Sequence, residues 1–341
     1  MSIQYIVTPK FPSYGGPRSF IDKLNKELIK DYDIEITDLE QDNARLVIVV
    51  GGTRRIFWLL HQKLKGRKII QRLNGVNNYK LGRASIRDYI FGKVGNFLIF
   101  YVRNFFADFI IYQSKFSMSC NNKAFGKIST PFNIIYNGTG DNLAASKRAS
   151  NEKINIFCCE GTIECDVYDR GLIEVIAEYA EKNEKIEHLH IFGVCKDEDA
   201  LKESTKNYLK TSIHGKVPFP KIQEYYQKGG IFFSLEVDGA CPNSVIEAMS
   251  FGMPIVGFNT GSISELIKDQ REGVIGSEIT KDTKGYHTNN KNKTSLEVSS
   301  LMDITVSQFD LFAENSLQNF QTHFHIKKVA QKYAETFKGF L

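Results

Sequence analysis

Along this chain, short unbroken runs of β-branched and aromatic residues alternate with longer stretches whose apolar positions recur at helical spacing. The runs 4–7, 34–37, 46–50, 68–73, 109–113 and 133–136 occupy the first part, with helices predicted over 18–30 and 86–106. A second series follows, with strands at 155–159, 188–192, 212–217, 231–235 and 255–258 and helices at 171–181, 221–227 and 244–251. Continuous apolar runs are what parallel strands buried on both faces require. The fold class predicted is α/β, with two βα domains. A polar segment, 137–151, interrupts the pattern and is the expected linker. Residues 281–292 read as a polar, Asn/Lys-rich loop, and helical periodicity resumes from 307 to 340.

A length of 341 residues suits two domains, and 42% hydrophobic with 24% charged residues is the balance of a soluble globular protein. The start, Met1 to Val7, lacks a basic n-region and a long apolar core, so no signal peptide is expected. The longest apolar run, 94–102, is far short of the roughly 20 residues that span a bilayer. Six cysteines without paired C-x-x-C spacing read as reduced, mostly buried thiols of a cytoplasmic protein.

Net charge is +5, but residues 1–148 carry +12 and residues 149–341 carry −7. Within 54–106 there are 12 basic residues and one acid, Asp88, among aromatics that include Phe57, Trp58, Tyr79, Tyr89, Phe91, Phe97 and Phe105. Cations interleaved with aromatic anchors suit an anionic membrane surface. The alternatives are core helices with a solvated basic face, or nucleic acid, for which no binding motif accompanies the charge.

The most informative segment is Asp238-Gly239-Ala240-Cys241-Pro242-Asn243-Ser244-Val245-Ile246-Glu247-Ala248-Met249, followed by Gly252-Met253-Pro254-Ile255-Val256. It reads as loop, helix, glycine stop and strand. Such a unit sets helix N–H groups at the mouth of a parallel sheet, where an anion can sit. Glu247, about one turn in, can accept hydrogen bonds from ribose hydroxyls. The segment resembles the nucleotide-sugar signature of the retaining glycosyltransferases of family 4, the group 1 enzymes. They carry two Glu with seven residues between them, then Ala-Met-x-x-Gly-x-Pro-Val-Val. The second Glu matches Glu247; the first falls on Gly239, with Asp238 one residue early.

The resemblance implies a GT-B fold: two Rossmann-like domains facing across a cleft. It places an acceptor-side domain at 1–145, a nucleotide-sugar domain at 150–315 and a C-terminal helix, 316–341, returning to the first domain. Further segments match more loosely. Gly15-Gly16, after the first strand, resembles the glycine loop that faces the diphosphate and sugar. Asn74 stands where the family carries a His or Asp aimed at the reacting sugar. Asn can hydrogen-bond a hydroxyl but cannot act as a general base, and an Asn-Gly turn is the alternative reading. Arg170-Gly171 matches the family's Lys-Gly, whose cation neutralises the diphosphate, whereas Thr162 stands where an Arg is usual. Lys216 and Val217 fall in the segment whose backbone reads the nucleobase. Residues 258–267 resemble the segment closing the donor pocket.

The resemblance therefore implies catalytic roles for Asn74, Arg170 and Glu247. Donor contacts are expected from Gly15, Gly16, Arg170, Lys216, Val217, Asp238, Gly239, Pro242, Asn243, Ser244 and Glu247. The activity implied is retaining transfer of a hexose or N-acetylhexosamine from a UDP-linked donor to a glycan or lipid-linked acceptor. No metal and no cofactor other than the donor are expected, and the location implied is the cytoplasmic face of the cell membrane. The alternatives are a GT-B sugar-nucleotide epimerase and a degenerate, non-catalytic partner, the latter motivated by Gly239, Thr162 and Asn74. Asp197-Glu198-Asp199 fits an Asp-x-Asp metal pattern but reads as a solvated helix start. His188-x-His190 and His323-x-His325 lack partners at ligand spacing and read as core or surface histidines.

Overall fold

A computed structural model describes residues 3–9, 16–37, 44–76, 86–140, 153–280 and 290–340. The chain divides into two compact units, one of residues 1–138 and 326–341, the other of residues 139–325.

The sheet of the first unit contains β1 (Ile3–Thr8), β2 (Ile34–Ile36), β3 (Leu46–Val50), β4 (Lys68–Leu73), β5 (Phe109–Tyr112) and β6 (Phe132–Ile134). All pair in parallel, in the order β2-β1-β3-β4-β5-β6. The helices are α1 (Gly16–Tyr32), α2 (Ile56–Leu64), α3 (Ile86–Phe105) and α4 (Lys115–Phe125). Alternate strand residues face opposite sides. Tyr5, Leu46, Ile48, Ile70 and Ile111 pack with Phe20, Leu24 and Leu28 of α1, while Ile6, Val47, Val49 and Ile69 pack with Leu59 of α2 and Val102 of α3. Helices α2 and α4 were not among the elements predicted; α2 buries only Leu59 and Gln62, too few positions to set a clear period.

The second sheet contains β7 (Ile154–Ile163), β8 (Ile186–Cys195), β9 (Thr211–Gly215), β10 (Gly230–Phe233), β11 (Ile255–Asn259) and β12 (Gly273–Glu278). Its order is β12-β11-β10-β7-β8-β9, again all parallel. Helices α5 (Val167–Lys182), α6 (Glu198–Thr205), α7 (Phe219–Tyr226), α8 (Asn243–Met249) and α9 (Ile263–Leu266) connect the strands. Then follow α10 (Lys291–Ser307), α11 (Phe309–Asn319), a π-helical turn (Phe320–Phe324) and α12 (Ile326–Lys338).

Three expectations need correction, and one strand was not expected. The strand predicted to end at Cys159 runs on to Ile163, because Thr162 and Ile163 pair with Val194 and Cys195 of β8 after an irregularity in register. The C-terminal helix predicted as continuous breaks at His325, whose backbone is extended (φ −62°, ψ 132°). The beginning of the polar linker is interior: Asn137 and Thr139 are 5% and 3% exposed. Edge strand β12, with glycines at both 273 and 276, escaped the apolar-run criterion. After the break, α12 belongs to the first unit, presenting Ile326, Val329, Ala330, Tyr333, Ala334 and Phe337 to α1 and the sheet. This i, i+3, i+4, i+7 spacing is a helix face made for burial.

Candidate functional site

In the second sheet, consecutive crossovers change direction between β7 and β10, and ligands of open α/β sheets bind beyond the carboxyl ends of the strands at such a point. An acidic residue lies near the carboxyl end of each. Glu160 lies near the end of β7, and Glu236 follows β10 by three residues.

The chain leaving β10 is held by backbone contacts to the turn after β11. Asp238 N–H donates to Thr260 Oγ1 (2.9 Å), and Ser262 N–H donates to Gly239 O (2.9 Å). Asp238 has φ 60°, a region that Asp tolerates better than most residues. Gly261, at φ 56°, has no room for a side chain, since a Cβ there would lie 2.4 Å from the Gly239 carbonyl oxygen. At Gly239 the neighbour is a side chain: a Cβ would lie 2.7 Å from Glu236 Cδ and 2.8 Å from its Oε1. The Glu236 carboxyl group therefore folds back over Gly239.

Beyond this loop, α8 begins after Pro242, which supplies no side-chain cap. Val245, Ile246, Ala248 and Met249 are buried, while Asn243, Ser244 and Glu247 are half-buried on the other side. Gly252, at φ 70°, ends the unit and Pro254 leads into β11. The Cys159 thiol and the Tyr226 hydroxyl are hydrogen-bonded between the two ends of this region, and the charges of Glu160 and Glu247 bear on both. Burial, with those two charges, pushes Cys159 up to about 12 against the lowering effect of its bond to Tyr226, so it stays a neutral thiol.

Glu160 accepts hydrogen bonds from the backbone N–H groups of Leu235 and Glu236, and its Oε1 is buried without a hydrogen-bond partner. Burial, then the charge of Glu236 and that of Asp169, raises the Glu160 carboxyl well above the usual carboxylate range.

Arg170 lies one turn into α5, which starts at Val167, four residues before the predicted start. The helix is capped by its own acids: Asp169 N–H donates to Asp166 Oδ1 (2.9 Å) and Cys165 N–H to Asp169 Oδ2 (3.2 Å). Arg170 is half-buried, and its guanidinium makes no hydrogen bond or ion pair with a described residue. Thr162 is exposed on the extension of β7.

Lys216 and Val217 follow β9, two strands from β7, after Gly215 at φ 65°. Beside them β8, β9 and α7 form an aromatic layer. The Phe192 and His214 rings stack with centroids 4.6 Å apart, Phe157 and His190 with centroids 5.4 Å apart, and His190 Nδ1 lies 3.0 Å from His214 Nε2. Desolvation, with the charges of His188, His214 and Lys228, lowers His190 to about 3. Among the described residues no group of three or more His, Cys, Asp and Glu is arranged to hold a metal ion. Asp197 instead caps α6, accepting from Ala200 N–H (3.0 Å), and Glu198 pairs with Lys202 (2.6 Å).

The remaining candidates lie in the first unit. Asn74 follows β4; its backbone oxygen accepts from Ser117 Oγ (2.9 Å) and Asn121 Nδ2 (2.8 Å), and the residue is exposed. Gly16 opens α1, and Gly15 lies outside the described residues. The second-unit candidates thus converge on the β7/β10 edge, with Lys216 and Val217 further along it. Glu160 and Glu236 were not assigned from the sequence. Their position at the ends of two predicted strands is a signal that the switch-point rule could have used.

Comparison with known proteins fits this geometry. Residues 169–283 match the family model for glycosyl transferases group 1, a span that holds Arg170, Glu236 and α8. No curated protein sequence matches the chain. The structure is similar to that of HepE from Anabaena, solved with UDP and glucose, at TM-score 0.70 and 13% identity over 99% of this chain and 100% of that one. It is similar to sucrose-phosphate synthase from Thermosynechococcus elongatus, at TM-score 0.71 and 10% identity over 99% of each chain. It is also similar to the pneumococcal O-GlcNAc transferase GtfA, solved with UDP and GlcNAc, at TM-score 0.63 and 14% identity over 86% of this chain. Of GtfA the chain spans only 56%. The fold is GT-B: two Rossmann-like α/β units with a final helix packed on the first.

Proposed function

We propose that this GT-B protein is a retaining glycosyltransferase of family 4. It moves a hexose or N-acetylhexosamine from a UDP-linked donor to a glycan or lipid-linked acceptor in cell-surface glycoconjugate synthesis, without a metal. The observation that carries the reading is Glu247, half-buried in α8 beside the β7/β10 switch point and inside the segment that matches group 1 glycosyl transferases. Its carboxylate suits the two ribose hydroxyls, and the amino end of α8 suits the diphosphate, with Pro242, Asn243 and Ser244 around it. The uncommitted guanidinium of Arg170 suits the same phosphates. Lys216 and Val217 lie where a base would extend along the sheet edge. UDP bound to HepE and to GtfA supports the choice of nucleotide.

Asn74 offers an amide to acceptor hydroxyls and no base, which fits front-face displacement with the leaving phosphate taking the proton. The acceptor side is proposed to dock on anionic lipid at the inner face of the membrane. Phe57 (89% exposed), Leu64 (77%) and Ile86 (72%) stand beside exposed Arg54, Arg55, Lys65 and Arg87. Not all of the basic stretch is available for lipid: Arg67, Arg72 and Arg103 are buried, and Lys63 pairs with Asp108. No described helix is long and apolar enough to cross a membrane.

The test is a thermal-shift panel of UDP-, GDP- and ADP-sugars, since a ligand of the native state raises its stability. A UDP-specific shift that is lost in Glu247→Ala is expected, and the absence of any shift with all three nucleotides would overturn the reading.

A further inference from the structure

We propose that Glu236 is the carboxylate that recognises the sugar of the donor in this chain, and that Gly239 is glycine in order to admit it. The inference rests on the donor reading above. A nucleoside-diphosphate sugar is a linear sequence of base, ribose, diphosphate and sugar. With the ribose at Glu247 and the phosphates at the start of α8, the loop immediately before α8 meets the sugar. A sugar offers adjacent hydroxyl donors, for which a carboxylate is the matching bidentate acceptor.

The geometry at residue 239 is specific. Glu236 Cδ lies 2.7 Å from the point where a Cβ of residue 239 would stand. In a glutamate at 239, Cδ would stand about 2.5 Å from its own Cβ, across two C–C bonds of about 1.5 Å. The carboxyl group of Glu236 thus lies at the distance that a glutamate side chain at 239 would reach. It approaches from three residues earlier, and a Cβ at 239 would have to displace it. The loop that carries both residues is pinned by Thr260 and Ser262, so the arrangement does not depend on a ligand to form.

A second carboxyl group neighbours the loop. The buried Glu160 carboxyl beneath the loop has its Oε1 without a partner, while backbone N–H groups of Leu235 and Glu236 donate to the group. Burial raises the Glu160 carboxyl well above the usual carboxylate range, with the charge of Glu236 adding to the rise.

The test compares wild type, Glu236→Gln and the double variant Glu236→Ala/Gly239→Glu. Each is measured for UDP affinity and for binding and hydrolysis of UDP-glucose and UDP-N-acetylglucosamine. Glu236→Gln should bind UDP within twofold of wild type and hydrolyse the better sugar donor at least tenfold more slowly. The double variant, which returns a carboxylate from residue 239, should recover most of that loss. Melting temperatures identify any variant that fails to fold, and the isosteric Gln keeps the test open if the double variant does. If wild type binds UDP while Glu236→Gln handles both sugar donors as wild type does, the inference fails and the donor reading stands. An equal loss of UDP and sugar donor also overturns it, since Glu236 would then act through the nucleotide or the loop. Failure of wild type to bind UDP removes the donor reading itself.

Discussion

The Nε of Arg72 donates to the hydroxyl of Tyr333 at 2.9 Å, tying β4 to the last helix of the chain across 261 residues. Arg72 is 2% exposed, and no described carboxylate pairs with it. Its charge is met by neutral groups instead: Nη2 donates to Asn137 Oδ1, the Gln113 amide oxygen accepts from Nη1 at 2.7 Å once turned towards it, and the Phe20 ring lies 4.2 Å away. A buried cation is costly unless its donors are satisfied. Tyr333→Phe should therefore destabilise the first unit by about 1.5–3 kcal/mol, the range for a hydrogen bond to a charged group. Urea unfolding checks this, and an unchanged midpoint would mean that Arg72 finds another acceptor.

Glu160 gives a pH prediction with a definite sign. Its folded-state pKa is raised, chiefly by burial, so above the unfolded carboxylate pKa the folded protein holds a proton that the unfolded chain has released. That difference lowers stability as pH rises towards the folded value. Glu160→Gln, isosteric with the protonated acid, should be more stable than wild type at pH 8, with the gap closing towards pH 4.5. Thermal unfolding across that range measures it, and a gap that does not vary with pH refutes the assignment.

His190 acts with the opposite slope. Its pKa is lowered to about 3, so from about 6.5 downwards the unfolded chain takes up a proton that the folded one refuses. Its stabilising effect is complete above pH 6.5 and is lost as pH falls towards 3. His190→Phe, which preserves the stack with Phe157 and Phe192, should flatten the acid limb of the stability profile. An acid limb identical to wild type would exclude His190 as its source.

Much of this architecture was legible in the sequence. Parallel strands buried on both faces write themselves as apolar runs, and most of the strands were found that way. β12 was not, because its glycines contribute no apolar side chain. The segment was legible where features follow one another along the chain: Asn243 to Glu247 sit in one helix after Pro242, as the loop–helix–strand reading expected, and the resemblance picked out the same residues. Glu236 was hidden, because its carboxyl group folds back over Gly239, and no spacing reveals a fold-back. Asn137 was read as linker because its polarity is that of a loop; in the fold that polarity serves the buried Arg72.

The role proposed for Arg170 is tested by separating the phosphates from the nucleoside. Asp166 and Asp169 already cap the start of α5, so the guanidinium one turn in is the cation available there for a diphosphate. Arg170→Ala should weaken UDP binding by about 1.5–3 kcal/mol, roughly 10- to 150-fold, and leave the weak binding of uridine unchanged. Calorimetric titration with both ligands decides the matter. Equal losses would mean that Arg170 acts on the fold or that another cation neutralises the phosphates.

The membrane prediction now rests on fewer residues than the charge count suggested. Arg67, Arg72 and Arg103 serve the interior, and Lys63 donates to the Phe106 carbonyl while pairing with Asp108. What remains on the surface is Arg54, Arg55 and Lys65 around the exposed Phe57 and Leu64 of α2, with Arg87 and Lys93 among the exposed Ile86, Phe91 and Phe97 of α3. Each basic residue near anionic lipid contributes about 1 kcal/mol, screened beyond about 8 Å at physiological salt. Flotation should therefore show binding to phosphatidylserine-containing vesicles, none to neutral ones, and release at high salt. Arg54→Glu/Arg55→Glu/Lys65→Glu should abolish flotation, and Phe57→Ser/Leu64→Ser should weaken it while keeping its salt dependence. Hydrolysis of the sugar donor should survive in both, because most of the proposed donor residues lie in the other unit. If wild type fails to float with anionic vesicles at low salt, the acceptor is to be sought among soluble glycans instead.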